Sequence, residues 1–198
     1  MRELHLALVA ATAISFAPSA LRSQQPSPLP SAAQQIAAAV TPLPEELRGG
    51  AAVLGYVTPG KLVSLREGTN DMTCIAPDPA QKVFHPACYH KSMEAFMARG
   101  RVLREQGVKD PQVDTVRFAE VNSGTLKMPT HPSMLYQIFG GTFDPETGKV
   151  SGGSWLYITY VPFATTATTG LTSRPSAKSP WLMFPGTPKA HIMFSVGM

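Results

Sequence analysis

The side chains in this sequence best suited to bind or transform a ligand are four histidines, His85, His90, His131 and His191, together with Glu94. Imidazole can ligate a metal, transfer a proton or hydrogen-bond a ligand near neutral pH. His90 and Glu94 are four residues apart. On a helix, that spacing lets an imidazole and a carboxylate converge on one ion, or lets the carboxylate orient the ring. The plainer alternative is a surface hydrogen bond. His191 shares one face of a strand-like run with Met193 and Ser195, opposite Ile192, Phe194 and Val196. If a helix covers that face, His191 meets His90. His90, Glu94 and His191 would then form a metal set, with His85 or His131 as a fourth member. Imidazole plus carboxylate suits Zn, and Met193 would tilt the preference toward Cu. His131 lies between Pro129 and Pro132, where a stiff backbone either presents it to a ligand or simply exposes it. Met72, Met93, Met97, Met183 and Met193 read first as core filler.

Cys74 and Cys88 are the only cysteines. A disulfide between them is the expectation in an exported chain. The alternatives are a metal site built from both thiolates with His85 and His90, and two free thiols. The motifs G-x-S-x-G, H-E-x-x-H, G-x-G-x-x-G and the phosphate-binding P-loop are all absent, which removes most large enzyme families with short signatures. A nucleophilic mechanism would need a hydroxyl beside one histidine and a carboxylate behind it. Ser92, Ser154 and Ser195 could fill that role, with nothing in the sequence to support any of them.

These residues need elements to position them. Apolar residues at Tyr89, Met93, Phe96, Met97, Gly100 and Leu103 fall within an arc of roughly 120° at helical spacing, predicting one long amphipathic helix over 89–106. Gly100 lies inside the buried stripe, where close approach of another backbone would explain it. Strand-like alternation marks 51–57, 62–66 and 72–76 as a meander, and 134–139 with 155–161 as a hairpin whose second strand is central. Runs at 181–184 and 190–196 close the chain as two more strands. A short helix is expected after Pro111, another over 44–48, and a Thr/Ser-rich loop over 165–179 as a lid or mobile segment.

The fold class that follows is α+β: a mainly antiparallel sheet of about five to seven short strands, one long amphipathic helix packed on it, and Pro-rich loops. The 19 prolines account for the loops. Residues 1–23 read as a secretory signal, because the apolar run from Leu4 to Ala17 is too short to span a bilayer and is followed by small residues. Residues 24–43 read as a flexible Gln/Pro/Ala-rich linker, with a short helix from Ser31 to Val40 at most, and 44–198 as a single domain. The chain should therefore be secreted or periplasmic, with no permanent membrane span after cleavage. A net charge of +4 scattered over 198 residues, with no basic run interleaved with aromatics, speaks against nucleic acid.

The leading functional expectation is a binding domain for a small ligand or metal ion, held by His85, His90, Glu94, His131 and His191 between helix and sheet. The rivals are a hydrolase or metal-dependent enzyme at the same cluster, and a structural or interaction module with no site.

Overall fold

The computed structural model describes residues 29–196, so the expected signal segment lies outside the described residues. The elements run α1 (Ala32–Ala39), α2 (Glu45–Arg48), β1 (Ala52–Thr58), β2 (Lys61–Arg66), β3 (Met72–Ile75) and β4 (Ala87–His90). A 3-10 turn, Lys91–Met93, then leads into α3 (Glu94–Glu105), followed by α4 (Gln112–Asn122) and β5 (Ser133–Phe139). After these come β6 (Thr142–Asp144), β7 (Lys149–Ser151), β8 (Ser154–Tyr160), α5 (Thr166–Thr169), β9 (Trp181–Met183) and β10 (His191–Val196). Eight strands form one sheet in the order β2-β1-β3-β4-β5-β8-β10-β9, and β6 pairs with β7 as a separate ribbon.

The architecture is α+β and mostly antiparallel, as the alternation predicts, but it is larger than expected. The sheet has eight strands rather than five to seven, and α4, at 11 residues, is nearly as long as α3, at 12. The first three strands are not a meander, because β3 lies parallel to β1 on the side away from β2. The hairpin expectation holds in its pairing: β5 and β8 run antiparallel from Ser133↔Tyr160 to Phe139↔Ser154, and β8 lies inside the sheet between β5 and β10.

Consecutive residues of a strand point to opposite faces, and β4 shows what each face carries. Cys88 belongs to one core, with Ala39, Leu43, Ala51, Val53, Met72 and Cys74. Tyr89 belongs to the other, with Met93, Phe96, Leu135, Ile158, Tyr160, Trp181 and Met193. Helix α1 supports the first core over the β1-β3-β4 half of the sheet, and α3 supplies the second over the β4-β5-β8-β10 half. Residues 29–43 are therefore not a flexible linker. Ser31 and Gln34 make a capping box at the start of α1, and Ala39 and Leu43 are buried.

The predicted stripe of α3 is correct in its face and wrong in its start. Met93, Phe96, Gly100 and Leu103 are buried, but Tyr89 and His90 are strand residues. β-Pairing of 87–90 with β3 and β5 takes precedence over the helical period there. What crowds Gly100 is a side chain rather than a backbone: a Cβ there would lie 2.9 Å from Nη1 of Arg117. That guanidinium is 3.8 Å from the centre of the Phe96 ring, donates to the Phe96 carbonyl at 3.1 Å and pairs with Asp114.

The disulfide is present, between Cys74 and Cys88 with S–S 2.08 Å. The two residues face each other directly across β3 and β4, so the bond staples neighbouring strands. No helix among the described residues is long and apolar enough to cross a membrane.

Candidate functional site

His90 ends β4 and caps the 3-10 turn that follows. Its Nδ1 accepts from the Ser92 backbone N–H at 3.3 Å and lies 2.9 Å from Ser92 Oγ. Ser92 Oγ in turn lies 2.7 Å from Oγ of Ser133, which is 3% exposed, and Ser133 Oγ is within 3.3 Å of the His131 carbonyl. On the other side of the ring, Nε2 is 3.8 Å from Oδ2 of Asp71. The other carboxylate oxygen of Asp71 is paired with Lys91 Nζ at 2.7 Å. The hydrogen bond from Lys91 holds the Asp71 carboxyl below its ordinary range, against a weaker opposing push from desolvation.

These groups border a cleft of about 420 Å³ lined by Leu47, Asn70, Asp71, Met72, His90, His131, Pro132, Ser133, Met134 and Tyr136. That volume lies at the small end of the range for ligand pockets. Two larger depressions exist, of about 610 Å³ and about 580 Å³. The first is bordered by Pro30, Pro77, Pro79, Phe84, Phe143 and Pro145, and the second by Val121, Leu126, Met128, Val161, Pro162 and Phe163. Neither gathers two imidazoles and a carboxylate, so the smaller cleft is the better chemical candidate. His131 is exposed on the ridge between the cleft and the second depression and lines both.

The cleft also borders an open part of the sheet. On the face that carries Cys88, pairing sets Tyr136, Tyr157 and Phe194 in one row across β5, β8 and β10. The Tyr136 and Tyr157 rings meet edge to face with centroids 5.4 Å apart. These residues are half-buried to exposed, with Phe194 at 37%, whereas the opposite face of the same strands is closed by the second core.

The expected site set divides. His90 and His131 come together on the cleft. Glu94 does not join them: Tyr89 Oη donates to its Oε2 at 2.5 Å and Arg101 Nη2 to its Oε1 at 2.5 Å, while Arg101 Nη1 donates to Tyr89 Oη at 2.8 Å. This closed triangle fastens the start of α3 to the sheet, and burial raises the Tyr89 phenol well above its ordinary value. His191 is a satisfied core histidine. It is 5% exposed, Nδ1–H donates to the Lys189 carbonyl at 2.7 Å, and the ring packs against Tyr160 and Phe184. His85 is exposed, with Nε2 3.2 Å from Gln137 Oε1, and packs edge-on to Phe139.

The expected metal set of His90, Glu94 and His191 is thus not assembled. Among the described residues, no three His, Cys, Asp or Glu side chains are grouped to hold an ion. Both cysteines are consumed by the disulfide, which also removes the thiolate alternative. The reason is positional. His90 was expected on the helix of Glu94, and its place in a strand sends the two side chains to different surroundings.

Sequence reasoning missed Asp71, Ser133 and Tyr136. Asp71 precedes a strand and looks like turn chemistry, and Ser133 meets Ser92 only through the pairing of β4 with β5. Ser92 two residues after His90 was the one local signal. No family model matches the chain, and no curated protein or solved structure matches it at a significant level.

Proposed function

We propose that this is a domain of an exported protein, secreted or periplasmic, that binds a small neutral molecule in the cleft between the Asn70–Met72 segment and β5. The observation that carries the reading is the convergence of His90, His131 and Asp71 on one concave surface, with apolar walls from Leu47, Met72, Met134 and Tyr136. A few fixed polar groups set in an apolar concavity are the usual composition of a ligand site. A neutral ligand fits because Asp71 already has a counter-charge in Lys91, at 2.7 Å. The Cys74–Cys88 bond supports the compartment, since disulfides persist where thiols are oxidised.

The test is a screen of neutral polar fragments by ligand-observed NMR against the wild-type domain and a His90→Ala/His131→Ala variant. The reading expects hits that bind the wild type and are lost in the variant. A screen whose hits bind both proteins equally, or that gives no hits, refutes it.

A further inference from the structure

We infer that the ligand is a saccharide or a similarly flat polyhydroxylated molecule, one of whose hydroxyls bridges His90 Nε2 and Asp71 Oδ2, with Ser92 and Ser133 as positioning residues for the imidazole. The inference deepens the small-ligand reading above and rests on it.

The contacts at Nδ1 set the tautomer of His90. Nδ1 accepts from the Ser92 backbone N–H, so in the neutral ring that nitrogen carries the lone pair and the proton sits on Nε2. With the lone pair on Nδ1, Ser92 Oγ–H donates to it at 2.9 Å, which turns the single proton of the buried Ser133 hydroxyl to Ser92 Oγ at 2.7 Å in preference to the His131 carbonyl at 3.3 Å. Two hydroxyls and a backbone amide thus fix both the orientation of the ring and the position of its proton. The N–H left for the cleft is Nε2–H.

Its natural partner is too far away. The 3.8 Å between Nε2 and Asp71 Oδ2 exceeds hydrogen-bond length. Lys91 occupies Oδ1, which leaves Oδ2 as an ionised acceptor facing an N–H donor across a gap. Two hydrogen bonds of about 2.8 Å meeting at one oxygen span such a gap. The bridging atom must accept from Nε2–H and donate to a carboxylate. Water and a hydroxyl do both, whereas a carbonyl, an ether or a carboxylate cannot donate and an ammonium cannot accept, so a ligand reaching this gap takes the place of a bridging water with a hydroxyl.

The rest of the cleft indicates the body that carries the hydroxyl. Tyr136 forms a wall, and beyond it Tyr157 and Phe194 continue the same row over two more strands. At about 4.8 Å per strand, the row extends roughly 10 Å, enough for a sugar ring and part of a second. Tyr136 and Tyr157 meet edge to face, so a single ring face, and not a platform of both, is offered to the C–H face of a pyranose whose hydroxyls turn to the polar edge. His131 stands at that edge as a second hydrogen-bonding group.

The experiment titrates cellobiose, sorbitol and a hydroxyl-free fragment from the earlier screen into ¹⁵N-labelled protein, with Asp71→Ala and Ser92→Ala variants in parallel. Asp71 is exposed, so its loss spares the fold. The inference expects cellobiose to shift the signals of Asp71, His90 and Tyr136. It expects sorbitol, which has hydroxyls but no flat face, to bind more weakly, and Asp71→Ala to weaken cellobiose roughly tenfold or more, as loss of a hydrogen bond to a charged group implies. Imidazole ¹⁵N shifts should report the Nε2–H tautomer of His90 in the wild type and a raised Nδ1–H fraction in Ser92→Ala, where only the longer 3.3 Å bond from the backbone N–H of residue 92 still holds the tautomer, a readout that a merely structural serine would not move.

Cellobiose that fails to bind, or binds Asp71→Ala equally well, overturns the hydroxyl bridge. Sorbitol binding as tightly as cellobiose overturns the flat-faced ligand, and an unchanged His90 tautomer in Ser92→Ala overturns the positioning role. If the hydroxyl-free fragment occupies the cleft while cellobiose does not, the ligand site survives without this inference. If nothing occupies the cleft, both fall.

Discussion

The side-chain amide of Gln35 takes the place of a strand beside Tyr56. Its Oε1 accepts from the Tyr56 backbone N–H at 2.7 Å and its Nε2 donates to the Tyr56 carbonyl at 2.9 Å. β3 pairs with β1 only over Ala52–Leu54, so Tyr56 would otherwise lose its ladder partner on that side. Gly55 admits the amide, because a Cβ there would lie 2.7 Å from Gln35 Oε1. Gln35→Leu should therefore destabilise the domain by about 1–3 kcal/mol, the cost of unpaired buried backbone groups, although Leu is a good helix former. Urea unfolding of the two proteins measures it, and an unchanged midpoint would show that water replaces the amide at no cost.

The Cys74–Cys88 bond closes a loop with a sequence separation of 14. In the chain-entropy model a loop of that size contributes about 3 kcal/mol. Thiol titration of the unfolded, unreduced protein should find no free thiol, and a Cys74→Ala/Cys88→Ala variant should lose about that much stability. Two titratable thiols per chain would contradict the bond.

Gly100 is confined by Arg117, which cannot retreat because Phe96 and Asp114 hold it. Gly100→Leu should cost about 1–3 kcal/mol through overpacking, outweighing the gain in helix propensity of about 1 kcal/mol. A higher denaturation midpoint would mean that the stripe yields where the packing says it cannot.

His191 sets an acid limit. Burial lowers its pKa and the nearby Lys189 charge adds to this, while the bond to the Lys189 carbonyl and the charge of Asp114 oppose the shift. A histidine depressed in the fold binds its proton more readily when unfolded, so its contribution is complete above an unfolded value of about 6.5 and declines as pH falls from there toward the folded value. His191→Phe should flatten the loss of stability just below pH ~6.5, as seen in melting temperature against pH. Parallel profiles for the two proteins would contradict the assignment.

The elements that the sequence disclosed are those with a strong local period. The stripe through Met93, Phe96, Gly100 and Leu103 and the alternation of β5 and β8 can be read without a partner. What stayed hidden depends on long-range pairing. Tyr89 and His90 fit the helical period as well as a strand, and only β3 and β5 on either side decide for the strand. That one difference separated His90 from Glu94 and dissolved the expected metal set. Ala39 and Leu43 resemble a linker in composition because small apolar residues reveal burial only once a sheet lies beneath them. Of the expected site residues, His90 and His131 share the cleft because one ends β4 and the other precedes β5, a proximity set by strand order alone.

On the proposed reading the Asp71–His90–His131 cleft, and not a larger depression, holds the ligand. Amide chemical-shift mapping of the fragment hits on the wild-type domain tests it most directly. The largest shifts are expected at Asp71, His90, His131, Ser133 and Met134, with the surroundings of Phe84 and Phe143 unchanged. Shifts centred instead on Phe84 and Phe143, or on Val161 to Ala164, would contradict it.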